Sequence, residues 1–281
     1  MLNFDQAEGL RRMLVLPKTR LFCFLSSSPI MERNSVLINL SASLAQQGQK
    51  TLMVDAKTSS SSLAAWLNLG ADQSLLDVAQ QTRTMDFVVQ ELVPRLSATK
   101  LVSGKLARKN LQQSALLSDV FDQVASQSDM VFVDCELDVD DSFSLSSFDD
   151  SEMLIHVSAD PLAIKNAYLM IKRIHQRLGR RPYKVVISSA PARLAQTVFS
   201  NLAHTAKHYL GLELVFAGAI PDDVYLQRAT AAGRSVLDAF PESSSARAFV
   251  RLAGQFLETD AMPVAALRNR AIAAPDVFMG T

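Results

Sequence analysis

His204 and His208 stand four residues apart on a predicted helix, one turn from each other, a spacing that can hold zinc. Thr205, not a glutamate, follows His204, and no cysteine cluster supplies further ligands. The pair therefore reads as a solvated helix face, and no metal site is expected. Cys23 lies inside one apolar run and Cys135 directly after another, so both are expected to be inert buried thiols. Asp134, Asp138, Asp140, Asp141, Asp149 and Asp150 form an acidic stretch that would suggest a cation site by charge alone. The Ser and Phe residues interleaved with them point to a mobile loop instead. Arg177, Arg180, Arg181 and Lys184 gather where a helix should end and a strand begin, which suits the helix dipole without any ligand. No serine or cysteine stands in a recognisable nucleophilic arrangement.

Glycine is scarce. The ten glycines, at 9, 48, 70, 104, 179, 211, 218, 233, 254 and 280, are nowhere closer than seven residues. That spacing excludes the dinucleotide fingerprint, the Walker A loop, the nucleophile elbow and the kinase glycine loop together. The 281 residues carry 28 Lys and Arg against 28 Asp and Glu, so the net charge is zero. Charge balance argues against a general polyanion binder, and no nucleic-acid partner is expected. A 48% apolar and 20% charged composition is that of a globular protein with a sizeable core. No apolar run is long enough to span a membrane, and Asp5, Glu8, Arg11 and Arg12 rule out a secretory signal. With only two cysteines, a cytoplasmic address is expected.

Short apolar runs alternate with helical periodicity along the chain. Leu21 to Leu25 reads as a strand buried on both faces, followed by a turn at Ser26 to Ser28 with Pro29. Val36, Leu37, Leu40 and Leu44 then recur at helical spacing up to Gly48. Strands are expected at 51–54, ending at Asp55, and at 130–133, ending at Asp134; 99–102 is a weaker one. Further strands are expected at 153–157, 183–187 and 212–217. Helices are expected at 74–81, 84–93, 107–126, 193–209, 222–231 and 243–258. Another should run to about Leu178 from an N-cap at Asp160-Pro161. Lys57 to Ser62 reads as a polar, mobile loop. The pattern predicts one α/β domain, with a mostly parallel sheet covered on both faces.

Three segments carry a resemblance to the MinD/ParA class of P-loop ATPases, and within it to the flagellar-number regulators of the FleN/FlhG group. Asp5-Gln6-Ala7-Glu8-Gly9-Leu10-Arg11 is similar to the family's N-terminal DQA helix. Ser158 to Tyr168 resembles the family's "PTAITDAY" helix start. The third segment runs from Gly218-Ala219-Ile220-Pro221-Asp222 through Leu237-Asp238-Ala239-Phe240-Pro241 to Ala246-Arg247-Ala248-Phe249. The resemblance implies a doubly wound sheet of the P-loop NTPase type over 18–260, an N-terminal partner-binding helix over 1–17, and a tail over 261–281.

It also implies a damaged nucleotide site. Where the family reads SGKGGVGKT, residues Ser26 to Asn34 carry no glycine. Pro29 removes an N–H donor and Glu32 sets a carboxylate where a triphosphate would lie. Arg33 keeps a positive charge at the lysine position, but Asn34 lacks the hydroxyl that holds Mg²⁺. Ser28 replaces the lysine that reaches across the ATP-bound family dimer. Asp55 matches the first aspartate of the family's "DAD", yet Lys57 stands where the second, water-orienting carboxylate belongs. Asp134 survives at the Walker B position, and Pro221 lies in the last matching segment. A pseudo-ATPase without ATP or Mg²⁺ is expected, with an atypical ATP-binding ATPase as the alternative. The old pocket is then empty, plugged by side chains such as Met31 and Glu32, or reused.

Phe4, Leu10, Met13 and Leu14 would line one face of the N-terminal helix, with Arg11 and Arg12 on its flank. Gly9 within that helix costs about 1 kcal/mol relative to alanine, which a purely structural cap would not need. Resemblance supplies the partner: the signal-recognition-type GTPase FlhF. Gln6 would order the attacking water at its GTP site, and Asp5, Ala7, Leu10 and Arg11 would shape the docking face. A flagellar transcription activator and an intact MinD-like paralogue are the other implied partners, with recruitment to the cell pole. Val264, Leu267 and Ile272 with Arg268 and Arg270 give only a short amphipathic stretch, enough for weak membrane contact at most. Oligomeric state stays open between monomer, constitutive dimer and mixed pair.

Overall fold

Five of the strands are mainly apolar runs that alternate their side chains between two layers, so each buries both faces. A computed structural model describes residues 19–57, 63–70, 73–102, 111–138 and 140–258. The strands are β1 (Arg20–Ser26), β2 (Thr51–Asp55), β3 (Gln90–Val93), β4 (Leu96–Lys100), β5 (Met130–Asp134), β6 (Glu152–Ser158), β7 (Tyr183–Ser188) and β8 (Leu214–Ala219). They form one sheet in the order β3-β4-β2-β5-β1-β6-β7-β8. Only the β3–β4 pairing is antiparallel.

Strand period explains the two cores. In β1, Phe22 and Phe24 face one layer, while Cys23 and Leu25 face the other. The first layer is covered by α1 (Ile30–Gln46) and α10 (Ser244–Glu258); there Phe22 stacks on Phe132 at 5.0 Å and meets Phe256 edge-on at 5.2 Å. The second is covered by α5 (Leu111–Ala125), α6 (Pro161–Leu178) and α7 (Ala192–Leu210). Asp160 caps α6 as its sequence predicts, accepting from the N–H groups of Leu162 and Ala163. Short helices α2 (Leu63–Trp66), α3 (Leu75–Ala79), α4 (Met85–Val88), α8 (Val224–Ala231) and α9 (Val236–Ala239) complete the described residues. None of their helices is long and apolar enough to cross a membrane.

Two expectations are corrected. The helix expected over 84–93 is one turn, α4, followed by β3. Val88 and Val89 are β-branched, and Pro94 biases Val93 away from helix; Arg95, with φ 70°, then turns the chain into β4. The acidic stretch after Asp134 is also anchored rather than mobile. Phe143, Leu145 and Phe148 are buried, and a 3₁₀ turn at Ser146–Asp150 sets Phe148 edge-on to Phe121 at 5.1 Å.

Candidate functional site

β1 is the switch point of the sheet: its neighbours β5 and β6 lie on opposite sides, and the crevice beyond such a point is where open α/β sheets bind ligands. The segment after β1 decides what the crevice can hold. The chain turns within Ser27 to Pro29, and α1 starts at Ile30, its Arg33 N–H donating to the Pro29 carbonyl at 2.9 Å. Glu32, Arg33 and Asn34 are thus wound into the first turns of a helix. Without glycine there is no wide loop whose N–H groups could ring a phosphate. Ser28 seals the turn, its hydroxyl accepting from the Ser158 N–H at 2.7 Å.

Behind that helix lies an ion cluster. The Asp134 carboxylate is fully buried at the end of β5, with Arg33 3.3 Å from one oxygen and Lys57 3.4 Å from the other. Both cations are themselves at least nine-tenths buried. Arg33 also donates through Nε and Nη2 to the Asn34 amide oxygen at 3.1 and 2.9 Å. Asp55, at the end of β2, accepts from the backbone N–H of Lys57 at 3.0 Å and of Ala64 at 2.7 Å. Burial pushes the Asp134 carboxyl up to about 6; Lys57 and then Arg33 oppose the rise, and Asp55 adds to it.

These residues do not fit a magnesium nucleotide. Asp134 faces two cations from its own chain, Asp55 is engaged by backbone N–H groups, and the Asn34 oxygen is held by Arg33. No concave loop remains for the phosphates. Lys57, expected in a mobile loop, is instead packed into the site; residues 58–62 lie outside the described residues.

A second polar chain runs across the strand ends. Ser188 Oγ donates to Glu32 Oε1 at 2.6 Å, so its oxygen accepts from His156 Nε2–H at 2.6 Å. His156 Nδ1 then accepts from Ser26 Oγ at 2.8 Å, and Ser26 Oγ accepts from the Ser28 N–H at 3.1 Å. Every donor has one acceptor, which fixes the tautomer. Burial, with Arg33 nearby, lowers the His156 pKa to about 3, so the ring stays neutral and is poorly matched to proton transfer at neutral pH. The sequence reading missed His156 and Ser188. The only available signal was a histidine inside the apolar run of β6.

The predicted site residues Ser28, Glu32, Arg33, Asn34, Asp55, Lys57 and Asp134 all gather at these strand ends, and Pro221 lines a cavity beside Glu32. Met31 does not plug the pocket: 55% of it is exposed, and Arg33 and Lys57 do the filling. Asp5, Gln6, Ala7, Leu10 and Arg11 lie outside the described residues, as does the tail after Glu258. The basic cluster is not one open patch. Lys184 is buried against Glu152, and Arg181 donates to the Asp149 and Leu178 carbonyls. His204 and His208 stack at 6.3 Å, and no group of three potential ligands for a metal occurs among the described residues.

No family model matches the chain. MinD of Aquifex aeolicus superposes with a TM-score of 0.64 at 16% identity, over 86% of this chain and 98% of that one. A ParA-family ATPase of Chlorobium tepidum gives 0.63 at 20% identity, over 85% and 99%. The fold is that of the MinD/ParA class. MinD of Pyrococcus horikoshii, solved with Mg-ADP, gives 0.62 at 16% identity, over 89% and 99% of the two chains. Within the MinD/ParA class, the sequence is similar to the antiactivator FleN of Pseudomonas aeruginosa, 25% identical over 228 residues, 79% of this chain and 80% of that protein. The chain is MinD/ParA-like in fold and FleN-like in sequence.

Proposed function

We propose that this protein is a non-catalytic, MinD-like regulator of flagellar number or placement, a pseudo-ATPase that works by binding partners. The observation that carries this reading is the buried Arg33–Asp134–Lys57 cluster, which occupies the phosphate and metal half of the crevice with the chain's own cations. Positioning, metal and base would all be missing, and those are what phosphoryl transfer requires. The partner-binding part is the N-terminal DQA segment, Asp5 to Arg11, with Gln6 acting on the GTP site of an FlhF-type GTPase. That partner would bring the cytoplasmic protein to the cell pole or membrane surface.

GTP hydrolysis by the cognate FlhF-type GTPase tests this, with the full chain and with residues 1–15 removed, each with and without ATP. Stimulation by the full chain alone, indifferent to ATP, is expected. No stimulation by either protein overturns the FlhF reading. A second reading, antagonism of a flagellar transcription activator, is favoured by the similarity to a protein named antiactivator FleN. It expects binding to the activator's ATPase domain even without residues 1–15.

A further inference from the structure

Next to the sealed cluster, over the ends of β7 and β8, the sheet keeps a cavity of about 320 Å³. Val36, Ile220, Pro221 and Leu226 give it an apolar wall, between the first turns of α1 and the length of α8. No lysine, arginine or histidine lines it among the described residues, whereas Glu32, Asp222 and Asp223 all do. Two of those carboxylates are committed. Asp223 accepts from the Tyr225 and Ser245 N–H groups and from the Ser244 and Ser245 hydroxyls, and Asp222 accepts from the Gln227 amide at 3.0 Å.

Glu32 is different. Its Oε1 accepts from Ser188 at 2.6 Å and Ser189 at 2.5 Å, while Oε2 meets no donor among the described residues. Ser189 adopts φ 54°, a left-handed conformation uncommon for serine, and its hydroxyl is directed at Glu32. A carboxylate in a first helical turn is favoured by the dipole alone. That does not account for the open cavity beside it, nor for a strained serine fixing the carboxylate.

We propose that this cavity binds a small organic cation, a flat ring bearing an amine or amidine, and excludes phosphate esters. The cationic N–H group would donate to Glu32 Oε2 while the ring lies on the Val36–Ile220–Pro221–Leu226 wall. A pocket of this size is at the low end for small-molecule sites and admits no more than a couple of fused rings. Three carboxylates without a lining cation repel a phosphate, because Arg33 and Lys57 face Asp134. The site belongs to the regulator whichever partner it serves, but the exclusion of phosphate rests on the closed cluster.

Benzamidine is the probe, titrated into the full chain and followed by backbone NMR, with neutral benzamide as its uncharged isostere. Benzamidine is expected to shift the Ser189, Leu226 and Gln227 resonances, with benzamide at least about tenfold weaker. Glu32→Gln should weaken benzamidine by about tenfold, and Ala231→Phe, which fills the cavity without touching the carboxylate, should abolish the shifts. Absent shifts, or equal affinity for benzamide or for Glu32→Gln, overturn the proposal. Mg-ATP should not displace the probe. Displacement by ATP would overturn both the phosphate exclusion and the pseudo-ATPase reading; absent benzamidine binding without ATP binding would overturn this proposal alone.

Discussion

Two neighbouring parts of one crevice, separated by a single helical turn, have opposite fates. On one side Arg33 and Lys57 close on Asp134, and the space is filled with paired charge. On the other, Glu32 faces an open cavity with one oxygen still without a donor among the described residues. Glu32 and Arg33 are adjacent in sequence and about 100° apart around α1, so the same turn points one charge to each side. The comparison teaches that a crevice without a glycine loop need not be empty. At the buried Asp134 carboxylate the chain supplies counter-ions; where the wall is apolar, a cavity stays open.

The largest effect expected falls on the closed side. Asp134→Ala removes the carboxylate that two buried cations face and should cost about 3–5 kcal/mol in urea denaturation. Replacing all three with apolar residues, as in Arg33→Met, Asp134→Leu and Lys57→Met together, should cost much less. A triple variant as unstable as the single one would show that the cluster is not the unit described.

His156 belongs to the polar chain that ends on Glu32. His156→Leu takes the acceptor from the Ser26 hydroxyl and one donor from Ser188 Oγ, which keeps its bond to Glu32, and should cost about 1–3 kcal/mol. The ring should stay neutral, with its proton on Nε2, at pH 5 in an ¹⁵N NMR titration. An imidazolium signal at that pH would contradict the hydrogen-bond chain.

The pH dependence is smaller and has a definite sign. The folded chain holds the Asp134 proton more tightly than the unfolded chain. Its contribution is therefore fully present below about pH 4 and lost as pH rises through about 6. His156 is biased the other way, contributing above about pH 6.5 and losing that contribution as pH falls towards 3. Between pH 4 and 6 the two oppose each other. Asp134→Asn removes the first, so urea midpoints of the variant should fall more steeply with acid than those of the parent chain.

On the open side the smallest change is expected. Glu32→Gln still accepts from Ser188 and Ser189 and should alter stability by less than about 1 kcal/mol. A loss as large as that of Asp134→Ala would mean that Glu32 is structural and would break the contrast.

The sheet was legible because β1, β2, β5, β6 and β7 are mainly apolar runs, whose burial on both faces leaves little choice of partner layer. β3 was not, since Gln90 to Val93 is mostly exposed and only Pro94 and the valines mark it. At the site, residue types at family spacing located Arg33, Asp55, Lys57 and Asp134. Their substitution pattern leads to the expectation of a crevice without phosphate loop, metal ligand or base. It did not tell what fills the space, because the Arg33–Asp134–Lys57 contacts join residues 77 to 101 positions apart. Ser189 left no signal and His156 only its place in the apolar run of β6, because a strained φ and a buried hydrogen-bond chain leave no local spacing to read.

The most direct measurement is the thermal midpoint of the full chain with and without millimolar Mg-ATP. A nucleotide bound at 100 times its dissociation constant would add about 2.7 kcal/mol to stability. The closed cluster predicts no shift, and none on restoring a carboxylate with Lys57→Asp alone. A rise of several degrees for the unaltered chain would show that Arg33 and Lys57 yield to phosphate and would contradict the account.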